Sequence, residues 1–387
     1  MIKAEKFHAK TLRGLEPLLA EELKSLGAER CELLNRGVTF YGGRALLYRV
    51  NLGSRLALRV LLPVLHFQAS DAHALYRNVK RFDWSLYLDN RMTFAIDPVV
   101  HSPFFNNSQY VAQKVKDAIA DRFRELTSLR PSVRREEPDL LINVHISGKF
   151  VTLSLDSSGG SLHRRGYRTG HFEAPLNEVL AAGMVKLAAW DGKSPFLDPM
   201  CGSGTLAIEA ALMAGGIPPG IFKKQYGFEN WKDFDRELME HVVHKLADEK
   251  EVKVSIVARD KDPEAVEITR QQVKQLDLQH IITVEQGDFM ESEGEEGMTL
   301  IMNPPYGERL KHDDLEDLYS NIGSTLKHRY PGSSAWILSS SKKALGRVGL
   351  KPASKQILFN GALQCSYVNY LTFKGKMKDH KAANNTG

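Results

Sequence analysis

Four consecutive residues directly after an apolar run have the residue types and order of a reactive site. Asn303, Pro304, Pro305 and Tyr306 follow the predicted buried strand at residues 298–302. The two prolines fix their own φ angles and hold the preceding residue extended. Oδ1 of Asn303 and the backbone carbonyl of Pro304 would then be two hydrogen-bond acceptors in a fixed orientation. The ring of Tyr306 could stack on a planar base.

Two fixed acceptors suit one difficult reaction, the modification of an exocyclic amino group on a nucleobase. Such a nitrogen is a poor nucleophile because its lone pair is delocalised into the ring. Acceptors on both N–H bonds would draw the lone pair out of conjugation while an electrophile is held in line. Catalysis would then rest on positioning and electrostatics, and no metal is expected. A plain Pro-Pro turn is the alternative, which the position after a strand disfavours.

A glycine-containing turn lies about a hundred residues earlier, at residues 197–211, and reads as strand, turn and helix. Gly202 and Gly204 allow a sharp turn and close approach of a ligand to the backbone. The turn fits the dinucleotide pattern G-x-G-x-x-A, but that site needs an acid about 20 residues further on. Asp260, the next acid at a predicted strand end, comes 56 residues after Gly204. The spacing therefore disfavours an ordinary NAD site.

Three acids, Asp198, Asp260 and Asp288, stand at the ends of predicted parallel strands. Ligands bind at this edge of a doubly wound sheet. The three carboxylates could accept from an ammonium group, from two ribose hydroxyls and from an adenine amino group. S-adenosylmethionine carries all of these and no phosphate. Any one acid could instead cap a helix, and Asp262, just before Pro263, is expected to do so.

Hydrophobic periodicity divides the chain into three regions and a tail. Residues 1–60 and 61–158 each read as α+β, and the second region ends in a hairpin around residues 147–149. Residues 159–378 alternate strands and helices, which predicts a parallel, doubly wound sheet. An antiparallel hairpin around Asn360-Gly361 is expected at its edge. Residues 379–387 are predicted to form a flexible polar tail.

Composition narrows the class of protein. The 387 residues are 42% hydrophobic and 26% charged, which is typical of a globular protein. No run of 18 apolar residues predicts a membrane span, and the N-terminal residues do not resemble a secretion signal. The three cysteines are far apart and predict neither disulfides nor zinc. A cytoplasmic location is therefore expected.

The net charge of +5 is small, but basic residues are clustered. Residues 163–171 contain no acid and are predicted to contact RNA or another domain. A solvated basic surface is the alternative. The candidate RNA-binding residues are His163, Arg164, Arg165 and Arg168.

The motifs resemble a known enzyme class. NPPY at 303–306 with DPMCGSG at 198–204 resembles the S-adenosylmethionine-dependent methyltransferases that act on amino groups. The strings KDAIADRFREL, LSLDSSGGSLHRRGYR and APLNEVLAAGM, which begin at residues 116, 153 and 174, resemble THUMP-containing RNA methyltransferases. Within that family, the chain is most similar to bacterial enzymes that form N2-methylguanine in large-subunit ribosomal RNA.

The resemblance implies a ferredoxin-like region, a THUMP domain that binds RNA, and a Rossmann-like seven-stranded methyltransferase domain. It implies S-adenosylmethionine as cofactor and RNA as partner, with Asn303, Pro304, Pro305 and Tyr306 as catalytic residues. The implied cofactor-binding residues are Asp198, Pro199, Cys201, Gly202, Gly204, Thr205, Asp260, Lys261, Asp288, Phe289 and Asn303.

Two other functions stay open at this stage. NPPY alone would equally serve an N6-adenine methyltransferase acting on DNA or RNA. A non-catalytic RNA-binding or assembly protein is the alternative from another class. The intact NPPY and glycine turn favour an enzyme, and the THUMP-like region favours RNA.

Overall fold

The computed structural model describes residues 4–168, 175–247, 250–305 and 312–373. The chain groups into two compact units that are not contiguous in sequence. The first unit consists of Met1–Thr11, Leu19–Leu162 and Gly220–Leu246. The second consists of Leu12–Leu18, His163–Pro219 and Ala247–Gly387.

Strands and helices alternate along most of the described chain. The strands are β1 (Glu5–Lys10), β2 (Cys31–Leu34), β3 (Gly37–Gly42), β4 (Arg59–Gln68), β5 (Thr93–His101), β6 (Ser132–Val133), β7 (Leu140–Ser147), β8 (Phe150–Asp156), β9 (Phe196–Asp198), β10 (Ile256–Asp260), β11 (Ile282–Gln286), β12 (Thr299–Met302), β13 (Ser334–Ser339), β14 (Pro352–Asn360) and β15 (Leu363–Leu371). The helices are α1 (Glu16–Ser25), α2 (Arg44–Gly53), α3 (Ala72–Arg81), α4 (Ser108–Thr127), α5 (Glu178–Leu187), α6 (Thr205–Ala214), α7 (Arg236–Leu246), α8 (Pro263–Gln275), α9 (His312–Arg329) and α10 (Lys342–Arg347).

One mixed sheet runs through the described part of the first unit, in the order β2-β3-β1-β4-β8-β7-β5-β6. It joins the two regions that were predicted separately as residues 1–60 and 61–158, because β1 pairs antiparallel with β4. Helices α3 and α4 pack against each other, and α4 also packs against β5. The predicted hairpin around residues 147–149 is confirmed as β7 and β8.

Side-chain caps set where α3 and α4 begin. The carboxylate of Asp71 accepts a hydrogen bond from the Ala74 amide at 2.7 Å, so α3 begins at Ala72. Asn107 caps α4 in the same way, accepting from the Tyr110 amide at 3.0 Å. Such caps satisfy amides that have no partner within the helix.

Gly220–Leu246 groups with the first unit, although the sequence prediction placed it inside the region 159–378. The ring of Phe228 stacks on Tyr48, with centroids 4.5 Å apart. The Asp235 amide donates to the Tyr48 hydroxyl at 3.1 Å. A Cβ on Gly159 would lie 2.6 Å from the Gly227 nitrogen, so the backbones meet where only glycine fits.

The second unit is built on a seven-stranded sheet in the order β11-β10-β9-β12-β13-β15-β14. The first five strands of that order are parallel. β15 runs antiparallel to β13 and to β14, which forms the edge. The predicted parallel, Rossmann-like sheet and its edge hairpin at Asn360-Gly361 are confirmed. Near-continuous burial of β9 and β12 fits strands covered on both faces.

Helix α9 packs closely against α10 and against the residues that follow α10. Leu300, Tyr319, Ile322 and Ile337 are fully buried in this part of the core. At Gly323, within α9, a Cβ would overlap the backbone carbonyl of Val348. Glycine is therefore required for the close approach, although it is a poor residue for a helix interior.

Gly323→Ala is expected to destabilise the protein by about 1–3 kcal/mol, because the added methyl must push two backbones apart. Gly346→Ala, in α10, is the matched control, because no atom lies within 4 Å of a Cβ built there. Helix propensity alone predicts that both changes stabilise by about 0.5–1 kcal/mol. Urea unfolding of the two variants and the wild type measures the difference, and equal stability would contradict the packing argument.

Candidate active site

The parallel register brings the predicted acids to one edge of the sheet. Asp198 ends β9 and pairs in register with Ala258, two residues before Asp260 ends β10. The Gly287 amide donates to the Asp260 carbonyl at 2.9 Å, which places Asp288 just beyond β11. Asn303 follows β12, which neighbours β9. Four strand ends that the sequence predicted to converge therefore do so.

The glycine turn between β9 and α6 is held by backbone hydrogen bonds. The Cys201 amide donates to the Arg259 carbonyl at 2.9 Å, and the Gly204 amide to the Cys201 carbonyl at 2.8 Å. Gly204 has a φ of +75°, and a Cβ there would lie 2.6 Å from Cγ2 of Thr269. The turn leaves its outer surface open to a ligand.

A cavity of about 570 Å³ lies against this turn and the strand ends. Among its lining residues are eleven that the sequence predicted: Asp198, Pro199, Cys201, Gly202, Thr205, Asp260, Lys261, Asp288, Phe289, Asn303 and Pro305. Gly204 and Pro304 are next to lining residues without lining the cavity themselves, and Tyr306 lies outside the described residues.

Asp198 is buried at 1% exposure. Among the described residues, neither of its carboxylate oxygens accepts a hydrogen bond of good geometry. Burial raises the pKa of the Asp198 carboxyl well above its usual value, the Asp260 charge raises it further, and the Met200 and Ala207 amides offset this in part. A buried carboxylate without a well-formed hydrogen bond is costly, so this position suits a ligand that brings a positive charge.

Asp260 has a different environment. Its Oδ2 accepts from the Gly202 amide at 2.9 Å, and its Oδ1 accepts from the Asp262 amide at 3.0 Å. These bonds fix the carboxylate at the cavity wall and leave further lone pairs for ligand hydroxyls. Asp262 itself accepts from the Glu264 amide at 3.0 Å, which confirms it as the cap of α8.

Asp288 combines the two roles that the sequence left open. Its Oδ1 accepts from the Met290 amide at 2.9 Å and caps the short 3-10 helix Phe289–Glu291. The same side chain lines the cavity beside Phe289. Capping uses one oxygen, and the other is available to a ligand.

The amide oxygen of Asn303 is buried and has no hydrogen-bond partner among the described residues. It faces the same cavity as Asp198. Two unsatisfied buried acceptors in one cavity are uncommon in a folded protein. They are the strongest sign that this cavity is built for a ligand with N–H donors.

Sequence reasoning missed part of the cavity wall. Asp314, Leu318 and Asn321 of α9 line it at helical spacing. That spacing places them on one face of a helix, but only the packing of α9 shows that this face lines the cavity. The remaining missed lining residues are Pro175, Leu176, Met200, Ser203, Leu206 and Met290.

The residues of the predicted basic patch differ in burial. Arg165 is buried and pairs with Glu209, Nε to Oε1 at 3.1 Å, which does not support its predicted contact with RNA. Arg164 is exposed and His163 is half-buried. These two remain predictions as RNA contacts.

Arg168 lies against the cavity wall. Its Nε is 2.6 Å from Oε1 of Glu178. Its Nη2 donates to the Leu176 carbonyl at 2.5 Å and to the Thr205 hydroxyl at 3.3 Å. Burial raises the pKa of Glu178 to about 7, and the Arg168 charge opposes this shift. Arg168 therefore ties together two residues that line the cavity.

The described helices are all too short or too polar to cross a membrane. Within the same residues, no cluster of His, Cys, Asp and Glu has the arrangement of a metal site.

Relatives of the chain carry methyltransferase names. It is 39% identical over 369 residues to slr0064 of Synechocystis sp., a presumed RNA methyltransferase, covering 94% of this chain and 96% of that protein. It is 39% identical to ribosomal RNA large subunit methyltransferase K/L of Photobacterium profundum, covering 95% of this chain and 53% of that protein. The chain thus spans about half the length of the K/L relatives.

Two solved structures share the whole fold. SMU.472, a methyltransferase-like protein crystallised with S-adenosylhomocysteine, has a TM-score of 0.87 and 28% identity, covering 97% of this chain and all of that one (100%). A Listeria monocytogenes protein described as an N6-adenine-specific DNA methylase has a TM-score of 0.85 and 29% identity, covering 96% and 97%.

Three family models match successive parts of the sequence. Residues 6–61 match the RlmL ferredoxin-like domain, and residues 69–156 match the THUMP domain. Residues 165–369, more than half of the chain, match the RMKL-like methyltransferase domain. The resemblance inferred from the motifs is confirmed: this chain belongs to the RMKL-like methyltransferase family and carries a ferredoxin-like and a THUMP domain ahead of its methyltransferase domain.

Proposed function

We propose that this protein is an S-adenosylmethionine-dependent RNA methyltransferase that methylates the N2 amino group of a guanine, in large-subunit (23S) ribosomal RNA. The single observation that carries the proposal is the pair of unsatisfied buried acceptors, Asp198 and Asn303, that face one cavity. One suits the cofactor and the other suits the substrate amino group.

The described residues fit the cofactor. Asp198 would hold its ammonium group, because a buried unpaired carboxylate favours a cation. Asp260 would hold the ribose hydroxyls, and Asp288 the adenine amino group. S-adenosylmethionine supplies an electrophilic methyl group on a sulfonium centre.

The chain's part in the reaction is to prepare the nucleophile. Oδ1 of Asn303 and the Pro304 carbonyl would accept from the two N–H bonds of the base and draw its lone pair out of conjugation. Preorganised acceptors of this kind act strongly where water is excluded. An amide oxygen is too weak a base to keep the surplus proton, so that proton passes to water.

The RNA target is supported by the THUMP match and by the names of the relatives. Guanine N2 rests on the resemblance of residues 116–184 to enzymes that form N2-methylguanine. The competing N6-adenine activity uses the same two acceptors, and the Listeria relative is described in those terms. Nucleoside analysis separates the two.

Asp198→Asn is expected to weaken S-adenosylmethionine binding about 10- to 100-fold, because a charge-assisted hydrogen bond of ~1.5–3 kcal/mol is lost. Isothermal titration calorimetry measures the affinity. Asp262→Asn is the matched control, because that exposed cap tolerates asparagine. Equal affinities of the Asp198 variant and the wild type would contradict the assignment.

The same titration has a pH signature. The raised pKa favours the protonated form of Asp198 before binding, and pairing with an ammonium group favours its ionised form, so binding should release protons. At about pH 6 an α-amino group is already protonated and cannot take this proton up. Titrations in buffers of different ionisation enthalpy should detect release by the wild type and none by Asp198→Asn.

Asn303→Ala should leave cofactor affinity within about twofold and lower methyl transfer about 100- to 1,000-fold, as for the loss of one preorganised polar contact. The substrate is ribosomal RNA from a strain that lacks the protein, and mass spectrometry of nucleosides identifies the product. N6-methyladenosine in place of N2-methylguanosine would overturn the guanine assignment. Transfer at the wild-type rate would overturn the role of Asn303.

Arg168→Lys should weaken cofactor binding about tenfold, or ~1.4 kcal/mol. Lysine can keep the ion pair with Glu178 but cannot also bridge the Leu176 carbonyl and the Thr205 hydroxyl. The rate at saturating cofactor should stay within about twofold, which identifies a positioning residue. Arg164→Lys is the exposed control. If the variant binds S-adenosylmethionine with unchanged affinity in the absence of RNA but binds RNA more weakly, Arg168 contacts RNA as the sequence predicted.

A further inference from the structure

One face of the eight-stranded sheet of the first unit is lined by rings. Alternation along β7 and β8 turns Val144, Ile146, Val151 and Leu153 to a fully buried side. The residues between them point the other way. Register aligns His145 of β7 with Thr152 of β8, and Thr152 with His66 of β4. His66 and His145 are both exposed.

Four rings form what we call the ring platform: His66, His101, His145 and Phe150. The rings of His66 and Phe150 are parallel, with an interplanar angle of 3° and centroids 6.2 Å apart. The rings of His101 and His145 meet edge to face at 6.4 Å. Phe150 is 47% exposed, and the three histidines are exposed as well. The rings come from four neighbouring strands, β4, β8, β7 and β5.

Local contacts hold the rings in place without covering them. Nδ1 of His66 lies 3.0 Å from the Thr152 hydroxyl, which fixes the imidazole plane. The ammonium group of Lys149 lies 5.9 Å from the centre of the Phe150 ring. Partial burial, with nearby Lys10 and His101, lowers the pKa of His145, which favours the neutral imidazole. A neutral ring offers a flat face for stacking.

The charges of this face favour an anion. Asp97 and Asp156, which share the face by alternation, both pair with Arg59, at 3.6 and 2.5 Å. Within the described residues, Lys149 is exposed and forms no ion pair with an acid. A single strand of nucleic acid, which has a negatively charged backbone and flat bases, therefore matches the platform in both charge and shape.

We propose that the ring platform binds a single-stranded segment of RNA, with bases stacked on its rings and a phosphate near Lys149. Neighbouring strands are about 4.8 Å apart, so four strands offer room for two or three bases, as on other RNA-binding sheets. The proposal rests on the proposed function in one respect, that the substrate is RNA. It assigns the capture of that RNA to a surface of the first unit.

The test is the affinity of the full-length protein for a short, unstructured, fluorescein-labelled RNA without guanine, measured by fluorescence anisotropy. Without guanine, the proposed methyl acceptor is absent. Phe150→Ala should weaken binding about tenfold, within the ~1–3 kcal/mol of one base stacked on an aromatic ring. His66→Ala should act in the same direction, and Phe150→Trp should retain the wild-type affinity.

Tyr110→Ala is the matched control. Tyr110 is a 46% exposed aromatic residue of α4, and Lys114 lies over its ring at 5.5 Å, so it copies the Phe150–Lys149 pair outside the sheet. Its affinity should equal that of the wild type. Thermal unfolding of each variant checks that the substitutions leave the fold intact.

The possible results separate this proposal from the proposed function. Equal RNA affinity of Phe150→Ala and the wild type, or no affinity in either, overturns the platform. If Tyr110→Ala loses RNA affinity and Phe150→Ala does not, RNA binds the helical layer instead of the sheet face. That result also overturns the ring platform. Tenfold weakening on Phe150→Ala supports the platform even if no methylated guanine is ever found, which would overturn only the proposed function.

Discussion

The chemistry of the second unit depends on one unfavourable interaction, the burial of Asp198 beside Asp260. A carboxylate in this position loses its hydration, accepts no hydrogen bond of good geometry from the described residues and feels a like charge. The surrounding core must supply the free energy that keeps it there, and the continuously buried strands β9 and β12 belong to that core. A cationic ligand removes the penalty, so ligand binding and folding stability are coupled at this residue.

Features that depend on neighbours in sequence could be predicted from the sequence. The cap at Asp262, the glycine turn at Gly202 and the hairpin at Asn360-Gly361 each depend on a few consecutive residues. The convergence of the acids and Asn303 also followed, because the ends of parallel strands share one edge. These local rules were sufficient to predict most of the candidate site.

Features that depend on distant partners could not be predicted. Arg165 stands in a basic string that reads as a surface, yet its partner Glu209 lies 44 residues away in α6 and buries it. The part of the cavity wall that α9 contributes could be identified only once the packing of that helix was known. The ring platform needed the register of four strands, since His66, His101, His145 and Phe150 are unremarkable when read singly.

The stacking of Phe228 on Tyr48 has a consequence for how this chain can recombine with a related one. The two rings are 180 positions apart, yet they belong to one packed unit, as do the abutting backbones of Gly159 and Gly227. A genetic exchange that replaced only residues before 163 would pair one parent's Tyr48 pocket with the other parent's Phe228 segment. The heritable module is therefore discontinuous, and Gly220–Leu246 must travel with the N-terminal residues that it completes.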